Sequence, residues 1–206
     1  MSDQQIIDRL TNAFAGAGGG VDSDGRLHSR LAALAERQGL LDLSYRTVDS
    51  PLGLLLLAAT GEGLVRVAFS CEDHDAVLAR LASDISPRIL RTPRRLDEAA
   101  HQLDEYFAGK RRAFSLPVDL QLAHGFRRTV LDHLRRIPYG VTKSYAAVAR
   151  AAGNPSAVRA AASACSHNPL PLVVPCHRVV RSDGTTGEYL GGPEAKRALL
   201  AMEAAA

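Results

Sequence analysis

Residues 168–180 read NPLPLVVPCHRVV: an apolar run braced by prolines ends in a cysteine that is followed directly by a histidine. Cys176 is the candidate nucleophile of this segment, because the thiolate is the reactive form of cysteine. A nearby imidazole lowers the free energy needed to form that thiolate. Side chains of adjacent residues often point apart, so we expect His177 to act as the base through a water molecule. The segment therefore predicts an activated thiol.

The residues upstream have the apolar spacing of two short helices joined by a tight turn. Ser144 can cap a first helix that runs to Gly153, and Asn154-Pro155 then opens a second helix over residues 156–166. Two short helices with such a turn are typical of a helix-turn-helix, a frequent DNA-binding motif. The pattern alone fits an ordinary helical hairpin equally well.

The second predicted helix reads SAVRAAASACS, in which Arg159 is the one long side chain. Small side chains allow close approach to another surface, which suits either a sugar–phosphate backbone or tight packing inside the protein. Arginine is long, planar and able to stack on bases. Arg159 is therefore suited to fill the gap that a base leaves when it is flipped out of duplex DNA.

Residues 41–119 predict an α/β domain with a small antiparallel sheet. Pro51-Leu52-Gly53 and Gly61-Glu62-Gly63 separate three β-like runs and indicate the turns of a meander. The β-like runs span 41–48, 54–60 and 64–70, the helical patterns span 74–85 and 93–109, and residues 114–118 alternate as a short strand. We assign no chemistry to this region from its sequence.

The charge is distributed unevenly along the chain. Residues 1–123 hold 14 lysine and arginine residues against 17 aspartate and glutamate residues, a net charge of −3. Residues 124–206 hold 11 against 5, a net charge of +6. The C-terminal domain, residues 120–206, is therefore expected to face a polyanion such as DNA, although two soluble domains can also differ in charge by chance.

Residues 1–40 are expected to form an N-terminal extension, whose stretch AGAGGGVDSDG indicates a flexible, glycine-rich linker. Three cysteines in 206 residues indicate a reducing cytoplasm rather than a disulfide framework. No window approaches the ~18 uninterrupted apolar residues of a membrane span. The N-terminus also lacks the pattern of a secretory signal. We therefore expect a cytoplasmic protein with no membrane partner.

Several C-terminal segments resemble the O6-alkylguanine-DNA alkyltransferases. These segments are PCHRV with Asn168 eight positions before Cys176, VTKSYAAVA, GNPSAVRAA, TGEYLGG and GGPEAKRALLAMEAAA. The resemblance is specific over 124–206, loose over 42–119 and absent over 1–40. It implies an α+β chain, with an N-terminal α/β domain and a mainly helical, winged-helix-like C-terminal domain that contains the helix-turn-helix.

The resemblance also implies an activity, namely DNA repair by direct reversal of damage. The alkyl group of O6-alkylguanine, and of O4-alkylthymine, in double-stranded DNA is transferred irreversibly to Cys176 after base flipping. Each protein molecule acts once, because a thioether offers no easy route back to the free thiol. No cofactor and no metal are expected, and the protein is expected to act as a monomer.

Residue roles follow from the same resemblance. Glu203 stabilises the His177 imidazolium, and Tyr145 donates to N3 of the guanine ring. Asn168 ties the helix pair to the active-site segment, and Lys196 assists near the base. The residues expected to contact DNA are Ser156, Ala157, Arg159, Ala160, Ala162 and Ser163, with Arg159 inserted in place of the flipped base. The residues expected to line the substrate pocket are Pro171, Val179, Tyr189, Leu190 and Gly191.

From the residues alone, Glu203 also fits a solvated terminal glutamate, and Tyr145 fits an aromatic residue of the core. The chain departs from the family pattern after Arg159, where Ala-Ala-Ala-Ser replaces Ala-Val-Gly-Gly, and at Leu190 and Pro193, which would alter the pocket width. The main alternative is a non-catalytic alkyltransferase-like protein that binds lesions, a class that lacks the reactive cysteine. A thiol hydrolase of the Cys-His type would not need the alanine-rich helix.

Overall fold

The computed structural model describes residues 30–32, 34–35 and 38–205. The predicted glycine-rich linker lies outside the described residues. The chain divides into a unit of residues 1–40 and a unit of residues 41–206. Within the described part of the chain, no helix has both the length and the apolar character needed to cross a membrane.

A four-stranded sheet forms the N-terminal half of the larger unit. Its strands are β1 (Leu43–Val48), β2 (Leu55–Ala59), β3 (Leu64–Ala68) and β4 (Ile89–Arg91). The order is β3-β2-β1-β4, in which β1, β2 and β3 pair antiparallel and β4 pairs parallel to β1. The predicted meander is confirmed, whereas β4 was not anticipated because three residues are too few to show an alternation.

The predicted strand at 114–118 is reduced to a single bridge between Leu64 and Val118. The bridge is made by Leu64 N donating to Pro117 O and Asp119 N donating to Leu64 O, at 2.9 and 2.8 Å. Gly63 permits this approach, because a Cβ on it would lie 2.4 Å from Pro117 O. Pro117 itself has no N–H to extend the ladder.

Two helices pack on opposite faces of this sheet. They are α1 (His74–Asp84), capped by Asp73, and α2 (Asp97–Phe107), which follows a 3₁₀ turn at Pro93–Leu96. Leu81 of α1 packs with Leu43, Ala58 and Val65. The residues of β2 that alternate with Ala58 face the other way, and they belong to the same core as α2.

The C-terminal half is mainly helical, as expected. Its elements are α3 (Gly125–Leu134), β5 (Lys143–Ser144), α4 (Tyr145–Ala151), α5 (Val158–Ser166), a 3₁₀ turn (Cys176–Arg178), β6 (Val179–Val180) and α6 (Gly192–Ala204). Ser144 caps α4 by accepting from Ala147 N at 3.1 Å. The turn between α4 and α5 passes through Gly153 at φ 85°. The expected helix-turn-helix is therefore present, with α5 beginning two residues later than predicted, and β5 and β6 pair parallel.

One hydrophobic core joins the two halves. It includes Leu57 of β2, Leu103 of α2, Leu131 of α3 and Val174 beside Cys176. In addition, Val67 N of β3 donates to Pro169 O at 2.8 Å. The sheet therefore supports the segment that carries the candidate nucleophile.

Candidate active site

The segment before Cys176 is buried and conformationally restricted. Prolines at 169, 171 and 175 limit its backbone, and Leu172 lies between them at φ 73° with 1% of its surface exposed. The left-handed conformation costs a residue other than glycine about 1 kcal/mol or more. The surrounding core holds Leu172 in this conformation, and a 3₁₀ turn starts at Cys176.

Asn168 is hydrogen-bonded to the Cys176 sulfur. Its Nδ2 lies 3.1 Å from Cys176 Sγ and 2.8 Å from Val174 O, and its Oδ1 accepts from Leu170 N at 3.0 Å. Cys176 is 2% exposed, and burial raises the pKa of its thiol to about 11. The Asn168 amide and the charge of Lys196 act in the opposite direction. At neutral pH the sulfur is therefore a thiol, and it needs a base to become reactive.

His177 and Glu203 form a buried pair. His177 Nε2 lies 2.9 Å from Glu203 Oε1, and the two side chains are 0% and 1% exposed. Because a carboxylate only accepts, Nε2 carries the proton and Nδ1 is the basic nitrogen. Nδ1 has no hydrogen-bond partner among the described residues. Burial lowers the pKa of His177, so the ring is neutral at physiological pH and can accept a proton.

Glu203 also accepts hydrogen bonds that the sequence did not reveal. Arg178 donates Nε to Oε2 and Nη2 to Oε1, both at 2.9 Å, and Gly140 N donates to Oε2 at 3.1 Å. The hydroxyl of Tyr106, in α2, donates to Oε1 at 2.7 Å. Burial raises the pKa of Glu203, but the hydrogen bonds outweigh burial and leave it well below its ordinary value. Glu203 is thus an ionised buried carboxylate and not a solvated terminal glutamate.

Lys196 and Tyr145 lie beside each other. Lys196 is fully buried, its Nζ donates to Val179 O at 2.6 Å, and it lies 5.9 Å from the centroid of the Tyr145 ring. Burial lowers the pKa of Lys196 and raises that of the half-buried Tyr145 to about 12. A Cβ on Gly187 would lie 3.2 Å from Tyr145 Oη, so the loop at 186–191 packs on this tyrosine.

The same loop contacts the sheet. The Tyr189 ring packs edge-on against Phe69 and His177, with centroids 5.5 and 6.2 Å apart. A Cβ on Gly191 would lie 2.9 Å from Phe69 Cε1, and Cys71 Sγ donates to Leu190 O at 3.3 Å. Pro171 and Val179, the other residues expected in the pocket, are buried.

Helix α5 has one buried and one exposed face. Ala161, Ala164 and Cys165 are buried against the core, so Cys165 packs in the interior. The exposed positions are Arg159, Ala160 and Ser163, together with Ser156 just before the helix; Ala157 and Ala162 lie at the margin, half-buried. The exposed face is therefore smooth apart from the Arg159 guanidinium.

The structure brings the predicted residues together in pairs: Asn168 with Cys176, His177 with Glu203, and Lys196 with Tyr145. Reasoning from sequence missed Arg178 and Tyr106. Arg178 stands in the PCHRV motif, but nothing in the motif shows that its guanidinium is buried. Tyr106 lies 71 residues before His177, on a predicted helix to which the sequence assigned no chemistry.

Fold and site together define a helix-turn-helix protein with a buried thiol next to a His–Glu pair. The model of the 6-O-methylguanine DNA methyltransferase DNA-binding domain matches residues 125–205, and that of its ribonuclease-like domain matches residues 43–120. The chain belongs to the 6-O-methylguanine DNA methyltransferase family.

Individual relatives agree with this assignment. The chain is 38% identical to a methylated-DNA–protein-cysteine methyltransferase of Mycolicibacterium paratuberculosis over 78% of this chain and 92% of the relative. It is 40% identical to a constitutive one of Bacillus subtilis over 77% of this chain and 94% of the relative. The structure of Mycobacterium tuberculosis OGT in complex with DNA matches with a TM-score of 0.69 and 36% identity, covering 79% of this chain and 93% of that one.

Proposed function

We propose that the protein repairs DNA by transferring the alkyl group of O6-alkylguanine, and of O4-alkylthymine, to Cys176, once per molecule. Family membership supports the reaction type. The observation that carries the assignment to Cys176 is its environment. Its sulfur is buried and hydrogen-bonded to Asn168, and the next residue is a histidine that is paired with a buried carboxylate.

The proposed step is a displacement at the alkyl carbon. The thiol proton passes through water to His177 Nδ1, and Glu203 stabilises the resulting imidazolium. The thiolate forms a carbon–sulfur bond, the carbon–oxygen bond breaks, and the guanine leaves with the electron pair. Tyr145 donates to N3 of the leaving guanine, while Lys196 assists near the base. The reaction requires no cofactor, because the thiolate supplies the electron pair of the new bond and the guanine takes the electron pair of the broken one.

The proposed partner is double-stranded DNA, which approaches the exposed face of α5. In this arrangement Ser156, Ala157, Ala160, Ala162 and Ser163 lie against the backbone, and Arg159 occupies the place of the flipped base. The flipped base enters a pocket formed by Pro171, Val179, Tyr189, Leu190 and Gly191. The small side chains of that face support a close approach, since little projects from it.

We also propose that the protein acts as a monomer in the cytoplasm. The absence of disulfides among its three cysteines supports a reducing compartment. Sedimentation equilibrium of the protein alone would check the oligomeric state, and a dimer at micromolar concentration would overturn it.

The test of the function is mass spectrometry of the intact protein after exposure to a duplex containing O6-methylguanine. The mass should increase by one methylene unit, and peptide mapping should place the addition on Cys176. Cys176→Ser should lose the addition and keep binding to the lesion. Label on Cys71 or Cys165 in the intact protein would contradict the assignment. Lesion binding by the unaltered protein without any label would instead support the non-catalytic alternative.

A further inference from the structure

Tyr106 links the N-terminal half to the candidate active site. It lies in α2, is fully buried, and places its hydroxyl 2.7 Å from Glu203 Oε1 and 3.4 Å from His177 Nε2. The rings of Phe114 and Tyr139 pack around it, with centroids 5.3 and 6.1 Å away. The hydroxyl position is therefore fixed by packing on several sides.

The Glu203 carboxylate does not need Tyr106 to satisfy its lone pairs. A carboxylate offers about four acceptor positions, two on each oxygen. Oε2 accepts from Arg178 Nε and Gly140 N, and Oε1 accepts from His177 and Arg178 Nη2. Tyr106 is a fifth donor and the third on Oε1, the oxygen that holds the histidine. Its effect is to draw charge from Oε1 and to restrain rotation of the carboxylate.

We propose that Tyr106 is a positioning residue for alkyl transfer, which acts through Glu203 to hold His177 with its proton on Nε2 and its lone pair on Nδ1. The inference rests on the function proposed above. It makes the N-terminal half a working part of the reaction centre, because the hydroxyl comes from α2.

The hydroxyl also sets how strongly Glu203 stabilises the charged imidazole. The charged and titratable groups around His177 are Glu203 of α6, Arg178 and Cys176 beside it in the chain, Lys196 of α6, Tyr106 of α2 and Tyr189 of the pocket loop. Without the Tyr106 hydroxyl, more negative charge remains on Oε1, next to Nε2. The imidazolium is then more stable, and a higher pH is needed to obtain the neutral ring that accepts the thiol proton.

The test uses Tyr106→Phe, which keeps the ring, with Tyr45→Phe as the matched control. Tyr45 is a half-buried tyrosine of β1 that packs with Leu43, Ala58, Val65 and Leu81, on the face of the sheet that carries α1. Single-turnover rates with free O6-benzylguanine would be measured from pH 5 to 9. For Tyr106→Phe we expect the low-pH side of the pH–rate profile, its acidic limb, to move to higher pH by about half a unit. The rate at neutral pH should fall about tenfold, as for the loss of one hydrogen bond. Tyr45→Phe should match the unaltered protein.

A purely structural role predicts a different result. The melting temperature of Tyr106→Phe would fall while the acidic limb stayed in place, and that outcome would overturn the proposal. If the variant does not fold, 3-fluorotyrosine at position 106 keeps the size and strengthens the donor. The limb should then move to lower pH, and an unmoved limb would again overturn the proposal. Transfer by the unaltered protein is measured in the same series, so failure of the proposed function would be seen separately.

Discussion

Glu203 is the residue on which the buried charges of the site converge. Its single negative charge offsets the Arg178 guanidinium, so Glu203, Arg178 and His177 together carry no net charge while His177 is neutral. In the proposed reaction, proton transfer from Cys176 creates a positive imidazole and a negative sulfur together, which leaves the total charge unchanged. A buried site can form this ion pair at far lower cost than a single isolated charge.

Glu203→Gln is expected to lower the free energy of unfolding and to abolish alkyl transfer. Loss of the carboxylate leaves Arg178 as a buried, unpaired charge, a change that typically costs about 3 kcal/mol or more. Because the folded pKa of Glu203 lies far below its ordinary value of 4.5, its contribution is fully present above 4.5 and is lost progressively as the pH falls from there through the lowered folded value. Chemical denaturation at pH 7 and at pH 4 would check this.

The difference in unfolding free energy between the two proteins should shrink at the lower pH. A difference that is equal at both pH values would mean that the carboxylate is not held in its charged form. Glu194→Gln, at an exposed position of the same helix, is the control and should behave like the unaltered protein.

Much of the site could be predicted from residues and resemblance, as Cys176, His177 and Asn168 show by lying together. What could not be predicted is the identity of partners that are distant in sequence. The sequence does not distinguish a buried arginine such as Arg178 from an exposed one, because the fold determines its burial. Tyr106 of α2 meets Glu203 of α6 in a hydrogen bond between residues 97 positions apart, which no local pattern encodes.

At the scale of elements, α5 combines packing with a smooth outer surface. The sequence left open whether its alanines pack inside the protein or form a smooth outer surface, and the structure shows both. Ala161 and Ala164 are buried, while Ala160 is exposed. Its start was predicted two residues early, since Ser156 and Ala157 have helical propensity but still belong to the turn after Asn154. The only long side chain on its exposed face is Arg159.

Arg159→Ala should slow repair of duplex DNA and spare transfer from free O6-benzylguanine. Arg159 is proposed to hold the place of the flipped base, and flipping costs a few kcal/mol only when the base is stacked. Tyr145→Phe is the comparison, because it removes a donor to the guanine ring and should slow both substrates, by less than the ~10²–10⁴-fold of full general acid catalysis. Single-turnover rates of both variants on both substrates test the assignment. Equal slowing of the free base by Arg159→Ala would show that the roles are wrong.

At the scale of the whole molecule, residues 41–206 share one core across the boundary expected at 119/120. The division into domains of residues 41–119 and 120–206 came from the change from an α/β pattern to a mainly helical one and from the resemblance, and it stays a prediction. The packing crosses this boundary, because Leu103 of α2 and Leu131 of α3 belong to one cluster. The positive charge of residues 124–206 therefore belongs to one part of a structure that shares its core with the other part.

We expect residues 41–206 to unfold in a single transition. Leu103 is 1% exposed, so Leu103→Ala should destabilise by about 2–5 kcal/mol through lost burial and a cavity. Loss of helical circular dichroism and exposure of the Cys176 thiol to a thiol reagent should occur at the same, lowered temperature. Leu54→Ala, at a position that is 40% exposed, is the control and should change little. Two separate transitions, with Cys176 protected through the first, would mean that the halves are independent.

The restricted segment before Cys176 loses its conformational entropy at a particular stage. Three prolines restrict the chain there even before folding, and Leu172 is forced into its left-handed conformation as the core closes around it. The entropy of arranging the nucleophile is thus lost during folding and not when DNA arrives. The free energy of DNA binding is then left available for opening the duplex, the rearrangement that the proposed base flipping requires of the partner.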